Sequence, residues 1–255
     1  MKTYHKYTAS LTYSFIACLP LLALYELLIF ISQPDSEAMV RLSADIWIRS
    51  LLLLFGENTL LLTLALTLVL GGVIFYLERN KKYTLKQSYF LGMVAESVIW
   101  ALLLWMLVSQ LVGVMFGMAA VSADGELFGM HTLLAADATG PGSFTRLQML
   151  ALSIGAGLYE ELIFRVVLVY SLLWIFSKFM SRNGAFAAAI LLGAALFSLV
   201  HYVGTFGDPF TLPSFMFRML FGLALNGLLL FRGFGITAWT HSMYDVILVM
   251  FFWQG

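Results

Sequence analysis

Runs of about 20 mostly apolar residues recur seven times along this 255-residue chain. They lie near residues 10–32, 59–77, 88–118, 147–177, 185–204, 212–231 and 234–254. A helix of about 20 residues crosses the roughly 30 Å hydrocarbon core of a bilayer. In hydrocarbon, backbone N–H and C=O groups must be satisfied internally, so such runs fold as helices packed on one another. The sequence predicts an all-α, polytopic transmembrane helical bundle with seven spans, or eight if residues 36–55 add one. It forms a single membrane domain over 1–255. The third and fourth runs are long enough to tilt or to extend beyond the bilayer.

Composition excludes a soluble reading. The chain is 61% hydrophobic and 11% charged, with mean hydropathy +0.92. Soluble domains carry roughly 45–50% apolar and about 25% charged residues. A net charge of zero offers no basic field for nucleic acid. The single cysteine, Cys18, excludes an intrachain disulfide and a cysteine-based zinc site, and is read as a small core residue. The first apolar run reaches about Ser32 without an A-x-A cleavage site, so it reads as an uncleaved span rather than a signal peptide.

Loop charges give an orientation. Lys2, Lys6, Arg79, Lys81, Lys82, Lys86, Lys178, Arg182 and Arg232 fall on one side of the predicted spans. Asp35, Glu37, Asp124, Glu126, Asp137 and Asp208 fall on the other. The positive-inside rule then predicts a multi-pass protein of the cell's inner or plasma membrane, with the amino terminus cytoplasmic and the carboxy terminus outside. Between Ser36 and Phe55, Arg41, Asp45 and Arg49 recur every four residues among Met39, Leu42, Ile46 and Trp47. That pattern predicts an amphipathic helix on the membrane surface, or an extension of the second span.

Against this apolar background stands Leu158-Tyr-Glu-Glu-Leu-Ile-Phe-Arg165. Intramembrane charges are costly and mark function by default. Glu161 and Arg165, four apart, share a helix face with the acid first, which suits an ion pair. Glu160, turned by about 100°, faces a different neighbour and is left as a candidate general base. The bland alternative is a buried charge network that only joins helices. Phe197 and His201 share a face of the fifth run, and His241 and Asp245 share one of the seventh. A membrane histidine is often just an interhelical hydrogen-bonder. A carboxylate four residues on can also orient the imidazole, as in catalytic triads. The spans place His201 and His241 at different depths, so convergence needs tilted helices.

These three motifs, Glu160-Glu161…Arg165, Phe197…His201 and His241…Asp245, resemble the CPBP family. It contains CAAX prenyl proteases of the Rce1-like type and bacterial relatives described as bacteriocin immunity proteins. The resemblance makes residues 147–254 the catalytic core and implies an intramembrane endopeptidase. Glu160 and His201 would activate a water. His241 and Asp245 would stabilise the oxyanion. Glu161, Arg165 and Phe197 would support them. The family was named for a metalloprotease mechanism, and Glu160, His201 and His241 are residue types that ligate zinc. The residue types allow either mechanism, zinc or glutamate-activated water, and the absence of the H-E-x-x-H signature favours one without an obligatory metal. Many relatives carry Asn where this chain has Asp245. Ionised Asp only accepts hydrogen bonds, so the role needs a neutral Asp245 or one that orients His241. The implied partners are the bilayer and a membrane-associated peptide or protein substrate.

Other polar residues carry weaker expectations. Glu26 and Glu96 would line the cavity or pair with Arg218 or a backbone donor. Arg218 would snorkel or pair with an acid. His5 and His131 would be solvated. Gly113-x-x-x-Gly117 and Ser153-x-x-x-Gly157 would allow close helix approach. An aspartyl protease built on Tyr244-Asp245 and Gly207-Asp208 has its motifs in reversed order. The competing function class is a non-catalytic immunity protein, chaperone or transporter that binds a peptide with the charged cluster.

Overall fold

The computed structural model describes residues 2–33, 40–81, 84–117, 144–204 and 207–252. Among them every regular element is helical. A short helix α1 (Lys2–Thr8) leads into α2 (Leu11–Ser32). Then come α3 (Ser43–Leu52), a 3-10 turn (Leu53–Phe55), α4 (Thr59–Glu78) and α5 (Gln87–Phe116). Next, α6 (Arg146–Gly155), a π-helical segment (Ala156–Val169) and α7 (Tyr170–Phe176) run on without a break. After them stand α8 (Arg182–Val200), α9 (Leu212–Arg232) and α10 (Phe234–Phe252). The acids Asp35, Glu37, Asp124, Glu126 and Asp137, together with His131, Lys82 and Met39, lie outside the described residues.

Helix starts follow local chemistry. The hydroxyls of Ser10, Thr145, Ser181 and Thr211 and the Asn58 carbonyl oxygen accept from backbone N–H groups of the first turn. Thr145 and Gln148 complete a reciprocal capping box. Such caps satisfy N–H groups that a helix leaves unpaired. The turn from α9 to α10 needs Gly233: its φ is +80°, and a Cβ there would meet the Ala9 carbonyl at 3.1 Å.

Five helices, α2, α4, α5, α8 and α9, are long and apolar enough to cross a membrane. The expected count of seven or eight is therefore not confirmed. The two remaining runs are the α6–π–α7 rod and α10. The rod is divided into pieces of different winding, and both carry the charged side chains of the candidate site, which lower their hydropathy.

The core gathers on α10, which packs against α2, α5, α6, the π-helical segment and α9. Gly235 to Ser242 are all buried, as expected of a helix surrounded by others. The Ser153-x-x-x-Gly157 pair does what small residues do, since a Cβ on Gly157 would fall on the Ala238 carbonyl and Ser242. Gly117, by contrast, ends α5 in the left-handed region, and among the described residues nothing stands within 4 Å of a Cβ there, so it acts as a helix stop. Cys18 is a buried core residue, as expected.

One end of the bundle is tied by polar contacts. Glu78 at the end of α4 accepts from Thr12 N at 2.9 Å and Thr12 Oγ1 at 2.7 Å. Tyr13 donates to the Thr84 carbonyl at 2.7 Å. Glu96 takes Tyr4 at 2.9 Å, Trp100 at 3.2 Å and Arg232 Nη2 at 2.7 Å. The amino-terminal segment is thus docked as helix α1, with His5 exposed. Glu96 pairs with Arg232 rather than with Arg218 or the cavity.

Residues 43–52 form a helix that inverts the expected surface arrangement. Asp45 is fully buried and Arg49 nearly so, while Ile46, Trp47 and Leu51 are exposed. Arg41 binds Glu26 at 3.0 Å and Asp45 at 2.9 Å, Arg49 binds Asp45 at 2.7 Å, and Arg49 also reaches Glu26. Four-residue spacing did place these charges on one face; that face points into the protein because Glu26 supplies a matching acid. Glu26 therefore pairs with Arg41 and Arg49, not with Arg218.

Candidate active site

The wide i→i+5 winding of residues 156–169 brings Glu160 and Glu161 to the same imidazole. Such winding is rare and often found at functional sites. Glu161 Oε1 lies 2.6 Å from His241 Nδ1, and Glu160 Oε2 lies 4.0 Å from His241 Nε2. The second glutamate was expected to serve Arg165 and the first to face elsewhere. The wider turn instead makes them neighbours on one target.

Glu161 also meets Arg165, with Oε2 and Nε 3.1 Å apart and both side chains fully or almost fully buried. Among the described residues neither Nη atom of Arg165 has a hydrogen-bond partner. The guanidinium rests 4.0 Å above the Phe197 ring, a cation–π contact inside the bundle. Phe197 in turn stands edge-on to His201 and His241, at 5.0 and 6.0 Å between ring centres. It is a packing hub for both imidazoles, more than the spacing alone suggested.

His201 caps the carboxy end of α8. Its Nδ1 lies 2.7 Å from the Phe197 carbonyl. A carbonyl oxygen only accepts, so Nδ1 carries the hydrogen and Nε2 presents a lone pair. That Nε2 is 4.0 Å from Glu160 Oε2. The predicted depth offset between His201 and His241 is thus absorbed by the way the helices pack, and both Nε2 atoms converge on one carboxylate oxygen.

Asp245 Oδ2 is 3.6 Å from His241 Nε2. This is beyond hydrogen-bond length. The residue that holds the imidazole is therefore Glu161, on Nδ1, whereas i,i+4 spacing pointed to Asp245. Nothing in the sequence distinguished the two, because the contact crosses from the π-helical segment to α10.

Beside these groups lies a cavity of about 670 Å³, lined by Glu160, His201, Arg218, His241 and Asp245 among apolar side chains including Trp47, Phe164 and Phe221. Sequence reading gave Arg218 no place in it. Arg218 binds Tyr202 at 2.9 Å, Ser214 at 2.8 Å and the carboxylate of Asp208. Asp208 is engaged there, which removes it from any aspartyl pair with Asp245. Its amide also donates to the His201 carbonyl at 2.9 Å.

Zinc is tested by the donor spread. Tetrahedral ligands on arms of about 2.1 Å stand roughly 3.4 Å apart. Glu160 faces the two imidazoles at 4.0 Å, and among the described residues no group of three or more His, Cys, Asp or Glu side chains is arranged to hold a metal ion. In this arrangement the three residues do not fit a zinc.

A family model described as type II CAAX prenyl endopeptidase Rce1-like matches residues 142–247. That stretch supplies Glu160, Glu161, Arg165, Phe197, His201, His241 and Asp245. The match is to the same family that the three motifs resemble. The match supports a CAAX-type protease in a membrane protein. No curated protein and no solved structure matches the chain.

Proposed function

We propose that the protein is an intramembrane endopeptidase in which a water held by Glu160 and His201 attacks a peptide carbonyl. The observation that carries this is the 4.0 Å separation of Glu160 Oε2 from His201 Nε2. It is too long for a direct hydrogen bond and suits one bridging oxygen about 2.8 Å from each atom. Both atoms accept, so the water gives them its two hydrogens and turns its lone pairs to the substrate.

As the water oxygen bonds to the carbonyl carbon, Glu160 takes its proton and the carbonyl electrons move onto oxygen. His241, donating from Nε2 as an imidazolium with Glu161 as counter-charge, and a neutral Asp245 stabilise that oxyanion. Collapse breaks the C–N bond, and the proton on Glu160 passes to the leaving nitrogen. The products are a carboxylic acid and an amine, and Glu160 is regenerated. Arg165 and Phe197 act as positioning residues: one neutralises Glu161, the other packs against both imidazoles.

The test is cleavage of a library of membrane-anchored peptides by the purified protein in proteoliposomes, beside Glu160→Gln. Loss of cleavage in Glu160→Gln supports hydrolysis. Cleavage that persists in Glu160→Gln overturns this mechanism. If Glu160→Gln also keeps full function in cells, the cluster serves peptide binding instead.

A further inference from the structure

We infer that Arg218 is a positioning residue for His201: it grips the loop that leaves α8 and so fixes where His201 Nε2 presents its lone pair. The catalytic consequence rests on the hydrolase reading above. The placement of the ring rests on geometry alone.

His201 stands one residue past α8, where helical winding ends. Its amide reaches the Ser198 carbonyl only at 3.3 Å. Carbonyls at the end of a helix have no partner within it. That of His201 accepts from the Asp208 amide at 2.9 Å. The backbone that carries the imidazole therefore depends on where the chain from His201 to Asp208 lies. Gly204, with φ at +99°, lets that chain turn back.

One guanidinium on α9 holds the loop at both ends. Arg218 Nη1 donates to Tyr202 Oη at 2.9 Å, one residue after His201, and to Ser214 Oγ at 2.8 Å. Its Nη2 binds the carboxylate of Asp208, the residue whose amide holds His201. Tyr202 Oη and Ser214 Oγ are themselves 2.6 Å apart. Beside this grip, Ser198 Oγ donates to the Phe215 carbonyl at 2.7 Å and joins the last turn of α8 to the first of α9.

The Arg218 and Asp208 side chains are 9% and 12% exposed. They are not a solvated surface pair of the kind that contributes little. A planar guanidinium holds several acceptors in a fixed relative geometry, whereas a lysine ammonium is a point charge on a flexible stem. Arg218 also lines the cavity, but Tyr202, Ser214 and Asp208 engage both of its Nη atoms. Its work is on the loop. Glu160 Oε2 and His201 Nε2 are 4.0 Å apart, a span that one water bridges. A misplacement of about 1 Å at such a site can cost about 10²-fold in rate.

Nitrogen NMR of the ring tests the placement without requiring activity. The chain has four histidines. In full-length protein in detergent micelles, isotope-labelled at histidine and carrying His5→Gln and His131→Gln, only His201 and His241 remain, and His201→Gln assigns them. The parent is expected to show His201 as one tautomer, with Nδ1–H and a bare Nε2. Arg218→Lys keeps the charge and loses the fork. It is expected to move the His201 signals toward the mean of the two tautomers and to leave those of His241 in place. Tyr202→Phe removes one acceptor, strands no charge, and carries the same test where Arg218→Lys does not fold. On a membrane-anchored peptide that the parent cleaves, kcat should fall by about 10²-fold in Arg218→Lys with KM little changed. Unmoved His201 signals overturn the inference. So does an equal shift at His201 and His241, which reports a loosened bundle. A kept kcat overturns it too, and a raised KM beside it would make Arg218 a substrate-binding group. His201 signals that move in a protein whose parent cleaves no peptide leave the positioning standing and count against the hydrolase reading alone.

Discussion

Glu161 Oε1 stands 2.6 Å from His241 Nδ1 while its other oxygen faces Arg165 Nε at 3.1 Å. One buried carboxylate thus holds an imidazole and neutralises a guanidinium. Glu161→Gln removes the counter-charge of an arginine that is only 2% exposed. Stranding a buried charge costs about 3–5 kcal/mol. Glu161→Gln is expected to lower thermal stability in detergent and activity together.

Glu160 is loaded differently. It makes no direct hydrogen bond to either imidazole, with 4.0 Å to each. Glu160→Gln is expected to leave the melting temperature near that of the parent. Cleavage should fall by roughly 10²–10⁴-fold, the usual range for a general base. A melt and a turnover assay on the same preparation separate this variant from Glu161→Gln.

For Asp245, removal of one oxyanion donor predicts a loss of about 10²–10³-fold in Asp245→Ala. Asp245→Asn keeps an N–H donor toward the cavity and is expected to retain activity. An active Ala variant beside an inactive Asn variant would contradict the assigned role.

Gly157 allows the π-helical segment to touch α10. Gly157→Ala is expected to push Ala238 and Ser242 away, breaking the alignment of Glu161 with His241. Overpacking of this kind typically costs about 1–3 kcal/mol. Gly222→Ala meets the edge of the Phe197 ring at 3.0 Å and Arg165 Nη2 at an ordinary contact of 3.6 Å. It should be milder, showing as a lower turnover with little change in the melt.

Metal removal is a separate check. Because the donors around Glu160 do not close to a zinc set, dialysis against a chelator is expected to leave cleavage unchanged. Loss on dialysis with recovery on adding zinc would contradict the proposed water activation.

Much of the chain was legible beforehand because membrane folding is constrained so tightly. All-helical structure followed from the apolar runs, and the family resemblance followed from three short motifs. The placement of Glu26 and Glu96 did not follow. Each pairs with arginines distant in sequence, Arg41 and Arg49 for one and Arg232 for the other. Alternation along one helix cannot report a partner on another. The reversed face of α3 has the same origin. The neighbouring roles of Glu160 and Glu161 were missed for a local reason: an angle of 100° per residue assumes α-winding, and here the winding is π.

That loose winding makes the pairing of the two acids with one ring a matter of pitch rather than of sequence alone. If residues 156–169 tightened to ordinary α-pitch, the same amino acids would swing apart and one carboxylate would leave the ring. Deleting a single residue from this coil would invite that change, even at a position that touches nothing in the cavity. The protein's tolerance for length changes is therefore expected to be lowest along one coil of Ala156–Val169, where the spring itself sets the spacing of its acids.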